Sequence, residues 1–142
     1  AEEILKGGGI LGIFPEGGSW AEVLRLPRPG TAYLASQTGA SILPVGLVGL
    51  NDIFPLKLGK RPTVKFQIGT PFHPKKVTGR GRERRKELDE LGHEIMKKIA
   101  ELLPEKKRGS YSDDPEIRAA AKEFEAYPWD DKLEGEVVGE VH

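Results

Sequence analysis

Ile10-Leu11-Gly12-Ile13-Phe14-Pro15-Glu16-Gly17-Gly18-Ser19-Trp20 is the stretch from which the fold is read. It opens as an apolar run and breaks at Pro15. A short apolar run bounded by Gly and Pro has the form of a buried strand. Pro15 has no N–H to give a sheet ladder, so the strand ends there. Gly17 and Gly18 then allow a tight turn and close approach of a ligand to the backbone. Polar atoms just past the carboxyl end of a strand are where open α/β sheets place their sites. The stretch therefore reads as a strand of an α/β fold, with its site at the Pro-Glu-Gly bend.

Upstream, residues 1–6 read as the last turns of a helix. Lys6 suits its C-terminus, and Gly7 to Gly9 serve as cap and exit. The glycine run precedes the apolar run and lacks a Gly-Lys-Ser/Thr ending, so it does not read as a nucleotide loop. The chain starts at Ala1 without Met, inside this helix-like segment, which reads as a processed or truncated start.

Downstream, residues 21–26 form a short amphipathic piece broken by Pro27-Arg28-Pro29-Gly30. Thr31 can cap a helix over residues 32–38, with Gly39 as its stop. Residues 41–48 read as an apolar strand with an awkward Pro44. In residues 63–69, the alternation places Val64, Phe66 and Ile68 toward the core and Thr63, Lys65 and Gln67 outward. The loop between them carries Ile53, Phe54, Leu56 and Leu58 and reads as a segment tucked onto the core, or else as a lip for an acyl chain. Arg80, Arg82, Arg84, Arg85 and Lys86 lead into a helix running to about Leu103. Leu88, Leu91, Ile95, Ile99 and Leu102 make its apolar face, and Pro104 stops it.

Phe14-Pro15-Glu16-Gly17 resembles the third conserved block of the glycerolipid acyltransferase family, which acylates glycerol phosphate and lysophosphatidic acid. The family block usually reads Phe-Pro-Glu-Gly-Thr-Arg-Ser, and Gly18, Ser19 and Trp20 depart from its last three residues. Ile42-Leu43-Pro44-Val45-Gly46 looks like the family's fourth block. Arg28-Pro29-Gly30 followed by Ala32-Tyr33-Leu34-Ala35 looks like its basic turn into a helix. The likeness covers residues 4–72 and implies an α/β fold, a mixed sheet flanked by helices, glycerolipid acyltransferase-like with its N-terminal part missing. Residues 1–108 would be the C-terminal part of the acyltransferase domain.

The resemblance implies acyl transfer from a thioester, on coenzyme A or acyl carrier protein, to the hydroxyl of a lysophospholipid or other polar alcohol in phospholipid biosynthesis. It implies no resident cofactor and no metal, and a cytoplasmic location, peripheral at the inner face of the membrane. Such a reaction needs a general base, which the family supplies from a His-x-x-x-x-Asp block upstream. The histidines here are His73, His93 and His142, and the positions five after the first two are Thr78 and Lys98. The base is therefore expected before Ala1, and this chain alone is expected to be inactive. His73 reads as structural and His93 as solvent-facing.

What remains is acceptor binding, assigned to Glu16, Gly17, Gly18, Ser19 and Arg28. Ser19 stands where the family carries its phosphate-binding Arg. With the Gly17 and Gly18 N–H groups it would form an anion nest, completed by Arg28, with Arg25 behind it. Glu16 reads as an organiser of the bend that accepts backbone N–H bonds, since a lone carboxylate lacks a titrating partner. A non-catalytic lipid- or anion-binding module at the membrane surface is the alternative function.

Composition bounds the rest. Lys and Arg equal Asp and Glu at 22 each, so net charge points neither to nucleic acid nor to a membrane. There is no Cys, hence no disulfide framework or thiolate chemistry. Residues 109–142 hold Arg118, Lys122 and Lys132 against ten acids, a net of −7, which leaves +7 on residues 1–108. This acidic C-terminal appendage is expected to pack partly on the basic body, with a helix from Asp114 or Pro115 to about Ala126 and anchors at Tyr127-Pro128-Trp129. The basic run at 80–86 reads as the solvated start of a helix, and nucleic acid is not an expected partner because no aromatics interleave it.

Overall fold

A computed structural model describes residues 1–18, 21–53, 59 and 61–126. Ser19, Trp20, the apolar loop residues Phe54, Leu56 and Leu58, and the Tyr127-Pro128-Trp129 anchor lie outside the described residues. The elements are α1 (Glu2–Lys6), α2 (Pro29–Thr38), β1 (Val45–Val48), β2 (Lys65–Ile68), α3 (Gly81–Ala100) and α4 (Pro115–Ala121). Single 3-10 turns occupy Leu50–Asp52, Glu105–Lys107, Gly109–Tyr111 and Lys122–Phe124. The architecture is a small α/β fold with a two-stranded antiparallel sheet and helices.

The longest element is α3, and it carries the core. Its residues Leu91 and Ile95 pack with Ala32 and Ala35 of α2, while Met96 and Ala100 pack with Leu24 and Leu103. Ile99 touches both groups and joins them. Small residues let α2 and α3 approach closely: a Cβ on Gly92 would come 3.9 Å from Ala32 Cβ in α2, and 3.1 Å from Pro27 Cγ just before it. The helix begins at Gly81, five residues before the end of the basic run, because the Arg, Glu and Lys residues that follow Gly81 are good helix formers. Past Ala100, i→i+3 bonds from Leu102 and Leu103 tighten the last turn before Pro104.

In α2, the helix begins at Pro29 and not at the expected 32. Proline at the first helical position costs no hydrogen bond and presets φ, so no Thr31 cap is needed. Gly39 ends it as expected, at φ 63°, with its N–H donating to Ala35 O at 2.9 Å.

The sheet corrects two expectations. Residues 41–48 hold only four strand residues, because Pro44 interrupts the ladder and leaves Ile42 in an isolated bridge with Phe72. The facing of β2 is corrected too: Lys65 and Gln67 are exposed as expected, but so are Phe66 and Ile68. Val45 pairs with Ile68 and Leu47 with Phe66, which puts these four on one face; Gly46, Val48, Lys65 and Gln67 share the other. Leu102 sits against that second face, where a Cβ on Gly46 would come 2.9 Å from Leu102 Cβ. Phe66 and Ile68 are left 69% and 67% exposed. Alternation fixed which residues share a face, and the docking of Leu102 decided which face is covered.

The larger correction concerns residues 10–14. They are not a strand, and Ile10 is 95% exposed and Phe14 61%. A strand exists only where a ladder partner exists, and none of the described residues pairs with this run. The expected mixed sheet is therefore absent among the described residues.

Beyond α3 the chain folds back. Glu105 gathers this return: its Oε1 accepts from Ser112 Oγ at 2.5 Å and Asp113 N–H at 2.6 Å, and its Oε2 meets Arg108 Nη1 at 2.9 Å. These donors hold its carboxyl below the usual glutamate value of 4.5, the Ser112 bond being the largest cause. The contribution is present above 4.5 and is lost as pH falls through the lowered native value. We expect amide exchange at Asp113 to accelerate on acidification below that range, and Glu105→Gln to abolish the acid-dependent part. In α4, Pro115 is the first helical residue and the Asp114 carboxylate caps it by accepting from Glu116 N–H at 2.8 Å. The helix is shorter than expected, passing into a 3-10 turn at Lys122–Phe124.

Candidate functional site: the Pro15–Glu16 bend

The bend is built by backbone bonds on both sides. Gly17 N–H donates to Phe14 O at 3.1 Å, closing a turn, and Gly17 takes φ 75°, a conformation that favours glycine. The returning segment, residues 24–28, lies along the bend. Arg28 N–H donates to Pro15 O at 2.7 Å, and the Glu16 Oε2 accepts from Arg25 N–H at 3.1 Å. Glu16 thus acts on the backbone, tying two segments nine residues apart.

Burial pushes the Glu16 carboxyl above its ordinary 4.5; the Arg25 N–H bond and the Arg25 charge pull the other way but do not win. A raised native pKa means that the protonated form is favoured by folding. Its contribution is fully present below the unfolded value of 4.5 and is lost as pH rises through the higher native value. Glu16→Gln keeps an acceptor for the Arg25 N–H without the charge, so its stability relative to wild type is expected to improve as pH rises through that window in chemical denaturation. Glu16→Ala removes the acceptor and is expected to cost about 1–3 kcal/mol at acid pH, as for a partly buried donor left unsatisfied, and less as pH rises through that window.

The expected acceptor residues are only partly brought together. Glu16, Gly17 and the main chain of Arg28 meet at the bend, and the Arg28 side chain is exposed at the start of α2. The expected nest is corrected at Gly17, whose N–H is spent inside the turn on Phe14 O. Ser19 lies outside the described residues. Arg25 does not stand behind Arg28 as a second anion ligand. It is 2% exposed, and its Nη2 donates to the Glu125 carbonyl at 3.4 Å. The placement of Arg25 in Val23-Leu24-Arg25-Leu26 was the available signal, since an arginine inside an apolar run is carried inward with its neighbours.

The histidines lie elsewhere. His73 is exposed in a loop, and His142 lies outside the described residues. His93 is half-buried and not solvent-facing as expected: its Nδ1 shares a 2.7 Å hydrogen bond with Tyr111 OH, and its Nε2 lies 3.7 Å from Asp89 Oδ2. Burial, with the Asp89 charge behind it, pushes the Tyr111 phenol well above its ordinary 10. An open depression of about 530 Å³ nearby is lined by Glu90, His93, Glu94, Lys97, Lys98 and Glu101, and no residue of the bend contributes to it. Its mixed charges read as the solvated side of α3.

Among the described residues, no cluster of His, Asp or Glu is placed to hold a metal ion. Nor is any of their helices long and apolar enough to cross a membrane. Compared with known protein families, curated proteins and solved structures, the chain has no match.

Proposed function

We propose that the chain is the acceptor-side part of a glycerolipid acyltransferase, moving an acyl group from a coenzyme A or acyl-carrier-protein thioester to a lysophospholipid-type or other polar alcohol. The observation that carries this is the bend itself. A Phe-Pro-Glu-Gly block places its carboxylate on the backbone of the next segment and so holds a shaped turn beside Arg28. The second block, Ile42 to Gly46, supports the reading by its spacing. In the reaction, the acceptor hydroxyl gives its proton to a base, its oxygen attacks the thioester carbonyl, and the thiolate leaves. The histidines described above do not stand at the bend, so that base would come from residues before Ala1, and this chain would position the acceptor.

The test is an acyl-transfer assay on the polypeptide with whatever its gene encodes before Ala1. Acyl-coenzyme A and acyl carrier protein serve as donors, with glycerol 3-phosphate, lysophosphatidic acid and uncharged polar alcohols as acceptors. Ester formation is expected, with Glu16→Ala lowering kcat/KM by about 100-fold, the scale of a misplaced substrate. No ester with any acceptor would contradict the proposal. The second reading, a non-catalytic lipid-binding module, is favoured by the exposed Leu43, Phe66 and Ile68. Vesicle binding with no ester formed would select it.

A further inference from the structure

We infer that residues 105–125 form a strap that sets the conformation of the Pro15–Glu16 bend, with Arg25 as the positioning residue between the two. On one side, residues 24–28 are tied to the bend by Glu16 on Arg25 N–H and by Arg28 N–H on Pro15 O. On the other side, the same segment is tied to the C-terminal return. Leu24 N–H donates to Lys107 O at 2.9 Å, and Arg25 Nη2 donates to Glu125 O. Glu125 is itself held by Ser110 Oγ at 3.3 Å.

Two features make this more than incidental packing. Gly109 takes φ 54°, and a Cβ there would run into the Leu24 carbonyl, so the return is fitted to Leu24 at backbone contact. Leu24 also belongs to the buried cluster with Met96, Ala100 and Leu103, against which Tyr111 packs. Residues 24 and 25 therefore lie between the bend and the strap, seated on the core by Leu24. On this inference, local opening of the strap loosens the bend. The functional consequence, that strap position tunes acceptor binding, rests on the proposed function; the coupling does not.

The test reads backbone amide exchange by NMR on the full chain, with no donor or acceptor present. Ser110→Ala removes the hold on Glu125 without touching the core. It is expected to speed exchange of the Arg25 and Arg28 amides by about threefold, a fraction of one net hydrogen bond. Arg25→Met is expected to speed exchange at Glu125 and at Arg28 together by about tenfold, the loss of roughly one such bond. Arg25→Lys should recover part of that. The Ile42 and Phe72 amides, bonded to each other across their bridge, are the internal reference and should not change. Faster exchange confined to residues 122–126, with Arg25 and Arg28 unmoved in Ser110→Ala and Arg28 unmoved in Arg25→Met, would overturn the inference. An acyl-transfer assay that fails leaves this result standing, and the reverse also holds.

Discussion

Gly109→Ala is expected to be among the most destabilising single substitutions in the chain. Two costs add at this position. The backbone holds φ 54°, which costs an L residue roughly 1–3 kcal/mol. The new methyl also meets the Leu24 carbonyl, whose residue is anchored by its own N–H on Lys107 O and by the next N–H, of Arg25, on Glu16, so it cannot swing aside. Forcing a methyl into packed structure adds about 1–3 kcal/mol. Gly81→Ala is the matched control: φ is 56°, and a Cβ there meets nothing within 4 Å. It should show the backbone cost alone. Chemical denaturation of both variants checks the prediction, and equal losses would mean that the return does not press on Leu24.

Met96→Ala is the second large effect. Met96 is 0% exposed and packs with Leu24, Ala100 and Leu103. Truncation removes the buried thioether chain and leaves a cavity, for which the usual cost is about 2–5 kcal/mol. Thermal unfolding should report a Tm lower by roughly 3–5 °C for each kcal/mol in a chain of this size. Met96→Leu conserves volume and should cost under about 1.5 kcal/mol. The cluster also seats Leu24, so Met96→Ala should loosen residues 24–28 before the α2–α3 contact at Ala32 and Leu91.

Local chemistry was legible in the sequence wherever it acts locally. The apolar face of α3, the Gly39 stop, the Asp114-Pro115 helix start and the interruption at Pro44 each follow from one residue's backbone preference or from a helical period. What could not be read were outcomes set by partners distant in sequence. Residues 10–14 have the composition of a buried strand, yet among the described residues no ladder partner meets them. Phe66 and Ile68 alternate properly and still face out, because Leu102, some 34 residues away, took the other side. The offset of His93 from the helix stripe points it to solvent, and Tyr111 arrives there from the return.

At the site, the same division holds. The turn at Gly17 and the role of Glu16 as a backbone acceptor follow from residue types at the bend. The use of the Gly17 N–H within the turn, and the burial of Arg25 under the C-terminal return, depend on where residues 24–28 and 105–125 come to lie.

Whether the Pro15–Glu16 bend receives the polar head of an acceptor, as proposed, is read by an NMR titration of the ¹⁵N-labelled chain with glycerol 3-phosphate, following Glu16, Gly17, Gly18 and Arg28. Saturable shifts of these amides are expected, weakened in Arg28→Gln. Shifts confined to the basic run at residues 80–86, or none at the bend at saturating ligand, would contradict the proposal.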